Sequence, residues 1–581
     1  MGSLSTLSHA RAGARQAVAS LLRPATEEKL WDRLTLALLA LATLLVLLTF
    51  RDYGVTWDED VQNWYGNLVL DYYLSWFFHL PPPHWLALYK YGDLYNYGAL
   101  FDMIAAALNR VSPLGVYETR HLLNGLVGIA GLAGCWKLGR TLAGARAGFI
   151  AVLFLALTPN FYGQMFNNPK DIPFAAGCVW ALYYMVRLLP DLPRPRPRLV
   201  VKTGIAIGLA LAVRIGGLLL LCYLALVLGL FALWTAAARR SLRTLFATGL
   251  TSLWRVLLPV AAIAYAVMLV FWPWAQSAPI AHPLAALAVF SHEIFPGKTL
   301  FAGQMLPAYN LPWIYLPTYV ALALPELVLA LLLAAPVVAI VGLARGRERQ
   351  PRQVLGLFLV GFAIVFPVAY AIAVKAVLFD GMRHFMFVLP PIAVAAALVA
   401  DRGLTRLGEF PLRRVVYASL ALYGLAHLSI MATLHPDQYV YYNGFVGGVD
   451  GAERKFKLDY WGNSFAEAVR GLENYLRRQY GPDFEEREFT VAVNGPPTAA
   501  RYYFPPNFRT VVQPKLADFV IAFTLGEGER YATDHPVYRV ERMGVLLSVV
   551  IDHRQYLAME RSARQPLAGA VSRRPPLSAY P

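Results

Sequence analysis

The chain has 581 residues, 57% of them hydrophobic and only 15% charged, with a mean hydropathy of +0.46. That excludes an ordinary soluble globule, in which about 25% of residues are charged. Lys and Arg outnumber Asp and Glu by 52 to 36, but the basic residues lie in short, dispersed loops, which excludes a continuous groove for nucleic acid.

What remains is a polytopic membrane protein, each crossing needing about 20 apolar residues to span roughly 30 Å of hydrocarbon. Apolar spans fall near 34–50, 121–138, 147–158, 173–189, 199–213, 215–235, 255–271, 317–343, 353–374, 384–400 and 415–432. These predict about eleven crossings, the fifth and sixth joined by a hairpin tip at Arg214 in AVRIGG. The N-terminal segment has no signal-peptide h-region or cleavage site, so 34–50 reads as a retained first helix.

Basic clusters at Arg11–Arg33, Lys137–Arg146, Arg187–Lys202, Arg239–Arg255, Arg345–Arg352 and Arg402–Arg414 alternate with loops that lack them. The positive-inside rule places these clusters, and the N-terminus, in the cytoplasm. The exterior side then receives 51–120, 159–172, 272–316, 375–383 and everything after 433. Cys135, Cys178 and Cys222 all lie in apolar spans, so no exterior disulfide framework is expected.

The predicted organisation is a helical membrane module over 1–432 and a small α/β domain over 433–581. In the latter, NSFAEAVRGLENYLRRQ (463–479) has helical spacing, while EFTVAVNG, FRTVVQ, ADFVIAFT and GVLLSVVID read as short strands. The tail RRPPLSAYP reads as disordered. Residues 62–97 hold twelve aromatic residues, among them Trp64, Tyr72, Trp76, Trp85 and Tyr97. That density fits interfacial helices, and equally rings that stack on sugar faces.

The first exterior loop reads RDYGVTWDEDVQNWYG and sets Asp58, Glu59 and Asp60 just beyond the first helix. They either solvate the loop and cap the next helix or serve a site at headgroup level. In PNFYGQMFNNPKDIPFA, Lys170 and Asp171 stand at the entrance to the fourth helix; Asp171 is an N-cap or a functional acid. FDGMRHFMFVLPP places Asp380, Arg383 and His384 at the exterior end of the tenth helix, with Arg120, His121 and Arg214 at the same depth. Several exterior cations at one level call for an anion, and the abundant anion there is a lipid phosphate. Acids, cations and aromatic rings together suit the transfer of a sugar from a lipid phosphate to an acceptor hydroxyl, with a carboxylate as base and cations on the leaving phosphate.

The set formed by WDE (57–59), YETRHLLNGLVG (117–128), FNNPKDIPF (166–174), RIGG (214–217), GMRHFMFVLPP (381–391) and HPDQYVYYNGFVGGVDGAERKFKLDYWG (435–462) resembles bacterial members of the dolichyl-phosphate-mannose protein mannosyltransferase superfamily, phospholipid carrier-dependent glycosyltransferases of the GT-C type. The resemblance covers roughly the first 470 residues and implies an inverting enzyme of the inner membrane. Its donor would be a polyprenyl-phosphate-sugar, its acceptor a lipid, glycan or protein, and its active site periplasmic. By matching position it implies Asp58 as base, supported by Glu59, with Asp171 as the second-loop acid. Arg120, Lys170, Arg214, Arg383 and His384 would then bind the donor phosphate.

The loop 272–316 lacks the β-trefoil insertion of the eukaryotic protein mannosyltransferases, which weighs against a protein acceptor. The alternative is a transporter or flippase of a lipid-linked sugar. No cofactor is required, although Asp58, Glu59 and Asp171 are hard-oxygen groups suited to a divalent ion. The stretch from Asn443 through Asp459, Tyr460 and Trp461 is either a loop folded over the site or a structured junction to the last domain.

Overall fold

The structure is a computed structural model that describes residues 27–79, 92–292, 297–344, 351–407, 412–523 and 536–557. It divides into a helical unit, which runs to Tyr460, and a second unit formed by Gly54–Trp57 with the chain from Trp461 onward. The predicted boundary at 433 marks where the chain leaves its apolar helices, not where the helical unit ends. Tyr439, Tyr441 and Tyr442 are buried in that unit, so its packing outlasts the change in composition.

In chain order the helical unit contains α1 (Glu27–Thr49), α2 (Glu59–Phe78), α3 (Leu100–Asn109), α4 (Val116–Ala143), α5 (Ala145–Ala156), α6 (Pro159–Asn167), α7 (Asp171–Leu188), α8 (Pro197–Leu211), α9 (Leu218–Arg239), α10 (Leu242–Val270, with a π-turn at Leu253–Leu257), α11 (Tyr315–Ala323), α12 (Glu326–Ala344), α13 (Pro351–Ala373), α14 (Leu389–Arg406) and α15 (Leu412–Leu434). After α10 come two shorter helices, Pro273–Ser277 and Ala281–His292, and then a hairpin of β1 (Lys298–Phe301) and β2 (Gln304–Pro307).

Among the described residues, eight helices are long and apolar enough to cross a membrane, or nine if α5 and α6 count as one bent span. The chain is a multi-pass membrane protein. Three of the eleven predicted spans differ for identifiable reasons. The 147–158 span is α5, which turns by 67° into α6; Pro159 opens α6 and cannot continue the preceding ladder. The 199–213 span is the 15-residue α8, ending before Arg214. The 317–343 span divides at Leu324–Pro325 into α11 and α12. The separation of α8 from α9 around Arg214 agrees with the predicted break.

Helices α4, α7 and α14 are the most buried of the long helices, whereas α1 and α15 expose most of their surface, as fits their nearly continuous apolar sequence in a lipid environment. The centre closes through small residues. A Cβ on Gly134 of α4 would come within 2.7 Å of Val179 in α7, the close approach that small residues permit between membrane helices. Helices α4, α7 and α14 all begin at the same end of the unit as the N-terminus of α2, and the site lies there.

The second unit carries a five-stranded sheet in the order β4-β3-β5-β7-β6, with β3 (Phe489–Asn494), β4 (Phe508–Thr510), β5 (Phe519–Phe523), β6 (Pro536–Arg542) and β7 (Val545–Asp552). The β3/β4 and β3/β5 pairs are parallel; β5/β7 and β6/β7 are antiparallel. Helix α16 (Phe465–Tyr480) buries Phe465, Val469, Leu472 and Leu476 against Val491, Phe519, Ile521 and Val550. The four predicted strands and the helix are all present. Strand β6 was not predicted, since PVYRVER mixes charges with its apolar positions. Gly54 N–H donates to Asn463 Oδ1 at 2.7 Å and Val55 N–H to the Tyr503 hydroxyl at 3.2 Å, which ties 54–57 into this unit. The tail RRPPLSAYP and Trp85 lie outside the described residues.

Candidate active site

The three acids of the first loop diverge, because successive residues on a helix point about 100° apart. Asp58, the N-cap residue of α2, keeps 42% of its side chain exposed, and its Oδ2 accepts from Arg383 Nη1 at 3.1 Å. Glu59 is fully buried with His121 Nε2 3.1 Å from its Oε1. Asp60 accepts from the Tyr117 hydroxyl at 3.1 Å. Asp58 thus meets a guanidinium from another element while part of its side chain stays exposed.

Behind them, α3 contributes Asp102, whose Oδ1 accepts from Arg120 Nη2 at 2.6 Å. Arg120 is completely buried, its guanidinium 5.5 Å from the Phe101 ring. The structure therefore does not bring Arg120 to an accessible phosphate site. It is a strut between α3 and α4. Asp102 was not singled out from sequence; a lone acid in LFDMIAAALN was the available signal.

The turn between α6 and α7 is built on Asn168. Its Nδ2 donates to Gln164 Oε1 at 2.6 Å and to Asp171 Oδ2 at 2.9 Å, while its Oδ1 accepts from Asp171 N–H at 3.0 Å. This holds Asp171 so that Oδ1 meets Arg214 Nη2 at 2.7 Å. Lys170 and Arg214 then converge on one ring, with Lys170 Nζ 4.0 Å and Arg214 Cζ 5.6 Å from the centre of Tyr97. Among the described residues Lys170 has no carboxylate within ion-pair distance. Burial pushes its ammonium down to about 8, against the pull of Asp58 and Asp102.

On the opposite wall, the loop before α14 supplies Arg383, whose Cζ lies 4.9 Å from the Phe379 ring, and His384, edge-on to the same ring. Asp380 Oδ1 accepts from Lys457 Nζ at 2.7 Å. The stretch from Asn443 to Tyr460 is packed onto the helical unit. Asn443 Nδ2 donates to the carbonyls of Ala321 and Leu324 at 2.8 and 2.9 Å, while Lys457 and Tyr460 line a narrow polar cleft with Asp380, Arg383, Asn160 and Gln164. Burial holds the Tyr460 phenol well above its usual value, so it remains a donor. Lys457 was missed in sequence, where it is one cation in a loop that also holds Arg454 and Lys455.

Of the predicted site residues, Asp58, Lys170, Asp171, Arg214, Arg383 and His384 are thus gathered at one end of the bundle, and Glu59 and Arg120 lie buried behind them. Asp58, Glu59 and Asp171 each turn to a different cationic or imidazole partner and do not form a ligand set; among the described residues no group of three or more acidic, His or Cys side chains converges on a metal position.

These features define a class: a multi-pass membrane protein whose helices carry a cluster of acids and cations at one end. Residues 118–274, from the first turn of α4 to just past the end of α10, match the family model described as dolichyl-phosphate-mannose-protein mannosyltransferase. That stretch contains Arg120, His121, Lys170, Asp171 and Arg214, so the resemblance read in the motifs is carried there, and it supports glycosyl transfer as the class of reaction. No curated protein sequence matches the chain. Among solved structures, ArnT from Cupriavidus metallidurans bound to undecaprenyl phosphate is similar at 14% identity with a TM-score of 0.46, covering 89% of this chain and 97% of that one. The archaeal oligosaccharyltransferase AglB from Archaeoglobus fulgidus, in complex with an inhibitory peptide and a dolichol-phosphate, aligns at 13% identity with a TM-score of 0.43, covering 86% of this chain and 70% of that one.

Proposed function

We propose that the chain is an inverting glycosyltransferase that moves a sugar from a polyprenyl-phosphate donor to the hydroxyl of a lipid, glycan or protein acceptor, on the exterior (periplasmic) face of a bacterial inner membrane. The observation that carries this reading is the pairing of a part-exposed carboxylate, Asp58, with Arg383 in a cluster that also holds Lys170, a cation with no carboxylate within ion-pair distance among the described residues. Such a cluster has room in its charge balance for one further anion. The name of the matched family points to a polyprenyl-type phosphate as that anion.

In this reading Asp58 takes the proton of the acceptor hydroxyl as that oxygen bonds to the anomeric carbon. The bond from that carbon to the phosphate oxygen breaks on the opposite face, and the phosphate leaves with the electron pair. Lys170, Arg214 and Arg383 stabilise its growing charge, with His384 beside them. Asp171 orients Arg214, and Glu59 anchors the start of α2 through His121. Mass spectrometry of lipids and surface glycans in a deletion strain would identify donor and acceptor. Purified protein given that donor and acceptor should transfer the sugar, and Asp58→Asn should insert normally yet lose transfer. Turnover retained in Asp58→Asn would remove the base assignment.

A further inference from the structure

Four side chains form an unbroken series of alternating charge. Lys457 Nζ lies 2.7 Å from Asp380 Oδ1, Asp380 Oδ2 lies 3.8 Å from Arg383 Nε, and Arg383 Nη1 lies 3.1 Å from Asp58 Oδ2. The first three are 9%, 14% and 10% exposed, so these charges act on each other with little screening. Arg383 is ion-paired to Asp58 and Asp380, and the Asp171 charge also acts on it. Asp380 is only three residues away on its own loop, yet the guanidinium sits closer to Asp58, 325 residues distant.

The backbone maintains this choice. Asp380 adopts a left-handed conformation, φ 55°, in which a side chain is strained, and Gly381 follows at φ 70°. Gly381 N–H donates to the Tyr315 hydroxyl at 3.2 Å, and a Cβ there would lie 3.2 Å from the Tyr319 ring. The β1–β2 hairpin binds both partners. Gly303 N–H reaches the carbonyl of Lys455 at 3.1 Å, Phe301 bridges to Phe456, and Leu378 N–H reaches the carbonyl of Ala308, just past β2, at 3.3 Å. Hairpin, loop and the stretch before Tyr460 thus converge on one ion pair.

We propose that Lys457 and Asp380 are positioning residues: Lys457 occupies Asp380 and so keeps Arg383 on Asp58. The inference rests on the reading of Asp58 as the base. Without Lys457, a buried Asp380 would lack its cation, and Arg383 would turn to it and leave Asp58. The groups facing Asp58 are Arg383 and Lys170; Glu59 and Asp60 on the same turn are engaged by His121 and Tyr117. Loss of Arg383 from this set leaves the Asp58 carboxylate without the guanidinium that holds it.

The test is the rate of carbodiimide labelling of Asp58 at one fixed pH in the full-length protein, read by mass spectrometry, since Asp58 is part-exposed and a carboxylate held by a guanidinium is shielded from the reagent. Lys457→Met should raise the labelling rate several-fold, and Lys457→Arg should leave it unchanged. The Lys457→Met/Asp380→Asn double variant should return it toward the parent value, because the competing carboxylate on the loop of Arg383 is then gone while Asp58 stays within ion-pair distance. In turnover, Lys457→Met should lose about 10- to 100-fold in kcat, with partial recovery in the double variant.

An unchanged labelling rate in Lys457→Met, or a double variant labelled as fast as the single one, overturns the proposal. Should Lys457→Met fail to fold, Asp380→Asn alone serves: its labelling rate should stay at or below that of the parent, and a rise overturns the proposal. Labelling needs no turnover, so these outcomes are separate from a failure of Asp58→Asn to abolish transfer, which would count against the reaction itself.

Discussion

Arg383 Nη1 lies 3.1 Å from Asp58 Oδ2 and joins the loop before α14 to the N-cap residue of α2. The contact sets a part-exposed acid of the first long loop against a cation 325 residues away in sequence. It also gives the acids at positions 58, 59 and 60 distinct roles that variants can separate.

Glu59 is buried against His121. Glu59→Gln should therefore cost about 1–3 kcal/mol of stability through a weakened buried bond, with kcat held within about tenfold. Asp58→Asn should show the reverse, with unchanged thermal stability in detergent and a loss of about 10² to 10⁴ in kcat. A Glu59→Gln variant as inactive as Asp58→Asn would show that the two acids act as a unit.

The Lys170 ammonium, held near 8, should set an alkaline limb. As pH rises through 8 the group loses its proton, and the donor phosphate loses a cation, so kcat/KM falls. The same limb in kcat should lie at higher pH, because a bound phosphate favours the charged ammonium and kcat reports the complex. Lys170→Arg should move the limb out of the accessible range. A pH profile for kcat/KM flat to pH 10 in the parent protein would refute this.

Arg120 and Asp102 form a buried pair at 2.6 Å. Removal of one partner leaves an uncompensated charge, so Arg120→Met should destabilise the protein by about 3–5 kcal/mol. A lowered unfolding temperature in detergent would register this, with donor KM little changed in the protein that still folds. A raised KM at unchanged stability would instead place Arg120 on the phosphate.

The α4–α7 contact leaves no room at Gly134. Gly134→Val should cost about 1–3 kcal/mol by overpacking, since its Cβ would lie 2.7 Å from Val179. Calorimetry or thermal denaturation of the purified variant measures this directly.

Asp58, Glu59 and Asp171 point to Arg383, His121 and Arg214 respectively, which leaves them unfit to share a divalent ion. Dialysis against a chelator should leave glycosyl transfer at its original rate. A loss restored by added Mg²⁺ or Mn²⁺ would place a metal on groups other than this trio.

Composition alone determined that the chain belongs in a membrane, because a strongly apolar chain with few charges has no other solvent that satisfies it. Periodicity was enough for the long spans and for the helix and four of the five strands of the last unit, since these patterns are local. Motif order placed Asp58, Lys170, Asp171, Arg214, Arg383 and His384 in loops at one level. It did not reveal that Glu59 and Arg120 turn inward, because a shift of one residue on a helix changes direction by about 100°. The break at Pro325 lay inside a run, 317–343, whose average hydropathy hid it, and the helical turn after Pro159 lay in a segment read as a loop. Only the tertiary structure decided which acid meets which cation. Lys457, Asp380, Arg383 and Asp58 come from three separate stretches of chain, and a loop in left-handed backbone, pinned by a hairpin far away in sequence, is what brings their charges within reach.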